Sequence, residues 1–182
     1  MIGVEWKNMS SGVEPIGTWA PRERRYIVEW AESRFPGYKK YYNVPLGPIP
    51  ESLVKEVGFE MARRWYRRWR PYADCIIDLV DYAILAEAEL LHPKNAIGDL
   101  LYYMKLVPKT PDLPVANPAN IKYYLVVPEL LQYVKEQCED LGIVVEVFTP
   151  DWLREYYEQW QKYYTPEGIL RRMERKRRLG RL

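Results

Sequence analysis

Two short apolar runs separated by a polar turn, each interrupted by acid, dominate the hydrophobic pattern of this chain. The first is Tyr72–Ile77, Y-A-D-C-I-I, with Asp74 in its middle. The second is Tyr82–Leu91, Y-A-I-L-A-E-A-E-L-L, carrying Glu87 and Glu89. Strand side chains alternate between faces, so Glu87 and Glu89 are expected on the face of Leu85. The polar stretch from Asp78 to Asp81 predicts a hairpin turn, which brings Asp74 alongside the two glutamates. Three carboxylates on adjacent apolar strands repel one another unless a cation or a proton sits among them. Hard divalent cations take oxygen ligands of this kind.

The flanking segments predict a helix-and-strand alternation. Residues 1–18 carry Gly, Ser and Pro without periodicity and read as an arm. Ala20–Arg34 reads as a helix with Pro21 in its first turn and Ile27, Trp30 and Ala31 at helical spacing. Glu23 lies one turn before Ile27 on that inward side. It is either a peculiarity of the first turn or a fourth member of the acidic cluster. Pro36-Gly37 ends the helix, and YKKYYNVPLG follows as a strand. A second helix is expected over Glu51–Trp69.

Downstream, Asn95 is expected to cap a helix reaching Val107, with Ile97, Leu100, Leu101 and Met104 as its buried stripe. A proline-rich loop leads to a strand at 121–128, whose unbroken apolar character suggests burial on both faces. A helix over Glu129–Leu141 is stopped by Gly142. A strand at 143–148 and a final helix capped by Asp151 complete the order. In that last helix Trp152, Tyr156, Trp160 and Tyr163 recur every three to four residues, a spacing that serves packing more often than binding. The result is a single α/β domain with a mixed sheet flanked by helices.

Composition narrows the function classes. The 182 residues, 48% hydrophobic and 29% charged, suit one globular domain. No apolar run reaches the length of a membrane span. The N-terminus lacks a cationic start followed by an apolar run, so no secretory signal and an intracellular setting are expected. The lone His92 and the scattered Cys75 and Cys138 argue against zinc. A net charge of +2 means that a polyanion must be met by local basic patches. One such patch interleaves Arg63, Arg64, Arg67, Arg68 and Arg70 with Trp65, Tyr66 and Trp69. Guanidinium groups pair with phosphates and aromatic rings stack on bases; the alternative is an amphipathic helix with core Trp and solvated Arg. Lys94 joins the basic set. The tail from Arg171 to Leu182 is either a solvated end or a second phosphate grip. Sixteen Tyr, seven Trp, an excess of Arg over Lys and few Asn or Gln match the trend of thermophilic sources.

The order of elements, with an acid in the second core strand and an acid pair in the third, resembles the PD-(D/E)xK nuclease superfamily, with its restriction-endonuclease-like fold. Asp74 in RPYAD matches the acid of the PD element, and Glu87 in Glu87-Ala88-Glu89 the first acid of (D/E)xK. Gly98-Asp99-Leu100-Leu101-Tyr102-Tyr103 resembles the GQLLxY helical motif and aligns Tyr103 with its tyrosine. Glu23 matches the acid of the family's first helix. The resemblance covers roughly residues 19–150, with 51–69 as a helical insertion and 151–182 as an appended aromatic helix and basic tail. It implies a Mg²⁺- or Mn²⁺-dependent deoxyribonuclease in which Asp74, Glu87 and Glu23 hold metal, Glu89 assists catalysis, and Asp99 and Tyr103 support the site. DNA is the implied partner ahead of RNA. Many relatives dimerise to cut two strands, and the aromatic C-terminal helix can supply such an interface.

Two departures stand out. Glu89 replaces the family lysine, which orients the attacking water, and Asp99 replaces the helical Gln. Glu89 can instead bind metal or act as general base, and Lys94 or Lys105 can restore the missing cation. These departures keep a second reading open: a catalytically degenerate nuclease fold, from an archaeal virus or a thermophile's mobile element, that binds nucleic acid or serves assembly. A scaffold that binds only protein does not require acids on apolar strands.

Overall fold

The turn expected at Asp78–Asp81 is tight: Leu79 N donates to Tyr82 O at 3.0 Å, and Val80 takes a φ of 74° at its tip. It joins β2 (Tyr72–Asp78) to β3 (Ala83–Ala88) as an antiparallel hairpin. This is seen in a computed structural model, which describes residues 20–178. The 1–18 arm therefore lies outside the described residues. On one side of the hairpin β1 (Lys39–Pro45) pairs antiparallel with β2. On the other, β4 (Ile121–Val127) runs parallel to β3, and β5 (Ile143–Val147) parallel to β4. The sheet is mixed, five-stranded and ordered β1-β2-β3-β4-β5.

Helices cover both faces: the two parallel connections need crossovers, whose helices lie on one face, and the first helix and the helix after β5 cover the other. On one face α1 (Ala20–Arg34) and α6 (Trp152–Tyr164) pack Tyr26, Ile27, Trp30, Leu153 and Tyr156 against Cys75, Ile77, Ile84, Ala86 and Val126. On the other, α4 (Pro93–Leu106) and α5 (Gln132–Asp140) pack Ile97, Leu100, Tyr103, Val134 and Cys138 against Ile76, Leu85 and Leu125. All six positions of β3 are buried, which is why it carries only Ala and aliphatic residues until Glu87. The result is the single α/β domain that the pattern of elements predicts. Among the described residues, no helix is long and apolar enough to cross a membrane.

Four expectations are corrected. The helix expected over Glu51–Trp69 is two, α2 (Glu51–Val57) and α3 (Phe59–Tyr66), followed by a short 3₁₀ turn at Arg67–Trp69. The break is Gly58, at φ 78° and ψ 159°, a region only glycine occupies without strain. A Cβ there would meet nothing within 4 Å, so the cost of Gly58→Ala is backbone strain alone. We expect a loss of about 1–3 kcal/mol in thermal or urea unfolding. Helix α4 starts earlier than Asn95, with His92 before it and Pro93 in its first turn, where the missing N–H costs nothing. β4 is fully buried only from Leu125 to Val127, while Ile121, Tyr123 and Tyr124 in its first half are partly buried against the two cores. The last helix divides at Thr165: Pro166 restricts the residue before it to extended backbone, and α7 (Pro166–Arg178) carries the described part of the basic tail as a helix. Tyr156 of the aromatic stripe is core, whereas the side chains of Trp160 and Tyr163 lie outside the described set.

Candidate active site

The hairpin register places Asp74 opposite Glu87, one step past the last paired residues, Cys75 and Ala86. Like charges directly across an antiparallel pair are destabilising, and here the ladder gives way to side-chain bonds. Asp74 N donates to Glu87 Oε1 at 3.0 Å, and Ala88 N donates to Asp74 Oδ2 at 3.0 Å. Each carboxylate thus spends one oxygen on a backbone amide that would otherwise be orphaned. Glu87 is only 8% exposed. Burial pushes its carboxyl well above the usual range, and the charge of Asp74 pushes it further. Asp74 is raised too, by burial first, with the Ala88 amide opposing.

Three more acids surround this pair. Asp99 of α4 raises both Asp74 and Glu87. Glu23 of α1 is pushed up to about 7, by burial first and then by Glu89 and Asp74. β3 ends at Ala88, but Glu89 N still donates to Val126 O at 3.0 Å, and Ala86, Ala88 and Leu90 share the opposite face, as the alternation expects. Glu89 Oε1 also accepts the amides of Leu91 (2.9 Å) and His92 (3.1 Å), which turn the chain into α4. Tyr103 is 6% exposed and donates its hydroxyl to Tyr72 O at 2.9 Å. Burial, then Glu87, holds that hydroxyl above its ordinary range, so it stays a donor. Asp74, Glu87, Glu89, Glu23, Asp99 and Tyr103 are therefore brought together from four elements and one turn.

No compensating cation comes with them. Among the described residues no lysine or arginine makes an ion pair with any of these five acids, and Lys94 and Lys105 are exposed on α4. The donor set is all oxygen, which suits a hard divalent cation. Among the described residues no three His, Cys, Asp or Glu side chains form a ready-made cage. Asp74 and Glu87 alone are a two-carboxylate set, the kind that Mg²⁺ completes with waters and substrate phosphate.

The basic residues separate into two groups. Arg63, Arg64, Arg67 and Arg68 are exposed on α3 and its 3₁₀ extension, with Arg63 paired to Glu60 at 2.9 Å. Arg70 does not belong with them. It is 3% exposed and forks onto Asp112 at 3.0 and 2.7 Å, with Nε donating to Leu46 O at 3.3 Å. A buried guanidinium requires such pairing, so Arg70 is withdrawn from the phosphate-facing surface. The expected alternative of core tryptophans is also corrected: Trp65 is 57% and Trp69 66% exposed. Sequence reasoning passed over Asp112, since nothing local marks a loop acid as the partner of an arginine 42 residues away. It also treated Tyr72 only as the start of a strand.

No protein-family model matches the sequence, and no curated protein matches it. Among solved structures, the chain is similar to a repair endonuclease from Pyrococcus abyssi, with 16% identity and a TM-score of 0.42, covering 69% of this chain and 46% of that one. It is also similar to EndoMS in the EndoMS-dsDNA2 complex, with 15% identity and a TM-score of 0.43, covering 78% of this chain and 49% of that one. The chain thus spans about half the length of these two structures, and the likeness concerns the fold.

Proposed function

We propose that this chain is a divalent-metal-dependent nuclease hydrolysing phosphodiester bonds in DNA, with Asp74 and Glu87 as its metal-holding pair. The observation that carries this is the half-buried Asp74 opposed to the buried Glu87, with Glu23, Glu89 and Asp99 around them and, among the described residues, no lysine or arginine paired to any of the five. Such a cluster is costly to fold and gains from a cation. Mg²⁺ or Mn²⁺, when bound, would polarise a substrate phosphate and make a water more acidic. The Asp74 and Ala88 amides fix one oxygen of each carboxylate, which holds the pair in place. Tyr103, tied to the Tyr72 carbonyl, keeps α4 and Asp99 in register with the pair. Glu23, poised near neutrality, suits taking or returning a proton in this site. Glu89 assists through the carboxylate oxygen that the turn amides leave free. Arg63, Arg64, Arg67, Arg68 and Lys94 provide the basic surface for the DNA backbone. In this reading residues 19–150 are the catalytic core, 51–69 an insertion, and 151–182 an appended segment suited to homodimer contacts.

A second reading has its own support. Glu89, standing where a lysine would orient water, is tied to two turn amides, and among the described residues no lysine or arginine pairs with the acids of the site. A protein that keeps the fold for binding nucleic acid accommodates this directly.

Metal linkage separates the two. The carboxyls of Glu23, Asp74 and Glu87 are raised by folding, so their contribution is fully present below their unfolded values near 4 and lost as pH rises through the folded ones. For Glu23 that loss centres on about 7. We expect the metal-free protein to have its highest Tm near pH 5 and a falling Tm toward pH 8. Mn²⁺ should restore the loss at pH 8 in the wild type but not in Asp74→Ala. Cleavage of labelled single-stranded, duplex and branched DNA with Mg²⁺, Mn²⁺ or EDTA should follow the same pattern. A flat pH profile with no response to Mn²⁺ removes the metal site. A Mn²⁺ response without cleavage, together with salt-sensitive DNA retention, favours the binding protein.

A further inference from the structure

The most exposed aromatic surface of the described chain lies outside the acid cluster. Trp65 and Trp69, 57% and 66% exposed, stand four residues apart on α3 and the 3₁₀ turn that follows. With Arg64, Arg67, Arg68 and Tyr72 they line a shallow, open groove of about 630 Å³, and no acidic side chain lines it. The guanidinium of Arg68 lies 5.1 Å over the Trp69 ring, and that of Arg67 5.9 Å over Tyr72. The neighbouring acid, Glu60, is already paired to Arg63. Two indoles left in water by a chain that buries Trp30 completely call for an occupant.

We propose that this groove binds an unpaired segment of nucleic acid, its bases stacked on Trp65 and Trp69 and its phosphates held by Arg64, Arg67 and Arg68. The charge selects a polyanion, and the ring faces select among polyanions. A duplex offers phosphates and base edges, while its base faces are stacked inside. Exposed indoles gain nothing from it, but every unpaired base has a free face. The groove also borders the strand that carries Asp74. Tyr72, whose hydroxyl donates to Arg67 O at 2.9 Å, begins β2 two residues before Asp74, about 7 Å along an extended chain. Insofar as the acid pair cuts phosphodiesters, which rests on the reading above, its substrate is a single strand, a flap or a frayed junction.

The test is a binding titration in EDTA, which needs no active metal site and so stands or falls independently of cleavage. The full chain is titrated, by tryptophan fluorescence and anisotropy, with a labelled oligothymidylate, a duplex of equal length and poly-glutamate. We expect the single strand to bind at least tenfold more tightly than the duplex. Trp65→Ala/Trp69→Ala should lose ten- to a hundredfold in single-strand affinity with duplex affinity and Tm unchanged. Trp65→Phe/Trp69→Phe should retain most of it, since a phenyl face still stacks. Equal affinity for duplex and single strand, or an alanine double variant that binds as well as the wild type, overturns the proposal. So does binding of poly-glutamate as tight as that of the oligonucleotide, which would mark the groove as a dock for acidic protein.

Discussion

Arg70→Ala is expected to destabilise the protein by about 3–5 kcal/mol, the scale for removing one partner of a buried ion pair. The side chains of Arg70 and Asp112 are 1% and 9% exposed, and their forked contact is the only way either charge is compensated among the described residues. Truncating Arg70 leaves the Asp112 carboxylate buried without a partner and removes the Nε donor from Leu46 O. A domain of this class has about 5–15 kcal/mol in total. For a chain of this length each kcal/mol moves Tm by roughly 2–4 °C, so a fall of about 6–20 °C is expected in a calorimetric scan. Arg70→Met combined with Asp112→Leu should recover much of the loss, because it removes both charges together. A drop in DNA affinity with no change in Tm would instead return Arg70 to the phosphate-binding surface.

Glu87→Gln is expected to do the opposite: to stabilise the metal-free protein while abolishing its response to metal. The amide is nearly the same shape. Its oxygen can still accept the Asp74 amide, and its nitrogen can donate to the Asp74 carboxylate at any pH, whereas the glutamate can do so only while it keeps its proton. At pH 8 the gain should be on the order of 1–3 kcal/mol, the scale of a hydrogen bond to a charged group. With one of the two carboxylates proposed to hold metal neutralised, Mn²⁺ should no longer raise Tm, and any metal-dependent cleavage should fall to background. A variant that is less stable than the wild type at pH 8 without metal would show that Glu87 is held for structure. Stability gained by removing charge from a site is the expected mark of a group kept for function.

The sheet and its acids were legible because they depend on local pattern. Alternation around Asp78–Asp81 specified the hairpin, and the hairpin alone is enough to set Asp74 against Glu87. Ala20–Arg34 kept its bounds because helical spacing and the Pro36-Gly37 stop agree. Partnerships made at a distance were not legible. Arg70 reads like its four neighbouring arginines until Asp112 arrives from the loop after α4. Glu89 reads as the next position of a strand, and nothing local shows that its carboxylate also caps the turn amides of Leu91 and His92. Gly58 looks like a tolerated glycine inside a helix, since its effect appears only in φ and ψ. Trp65 and Trp69 were expected at the core if α3 were merely amphipathic. Exposure depends on what the rest of the chain covers, which periodicity does not carry.

The excursion between β1 and β2 has its two ends fastened to each other. Leu46 N donates to Pro71 O at 2.9 Å, and Arg70 beside it bonds back to Leu46 O. The strands on either side are already neighbours in the sheet, so the intervening helices are not needed to close it. This makes α2 and α3 a cassette: a short turn, or a foreign helix pair, can replace residues 48–69 while the Arg70 clasp and the acid pair stay where they are. Lineages sharing this sheet are free to exchange what it grips without rebuilding what it does, and a chimaera with the cassette swapped would inherit its donor's ligand preference.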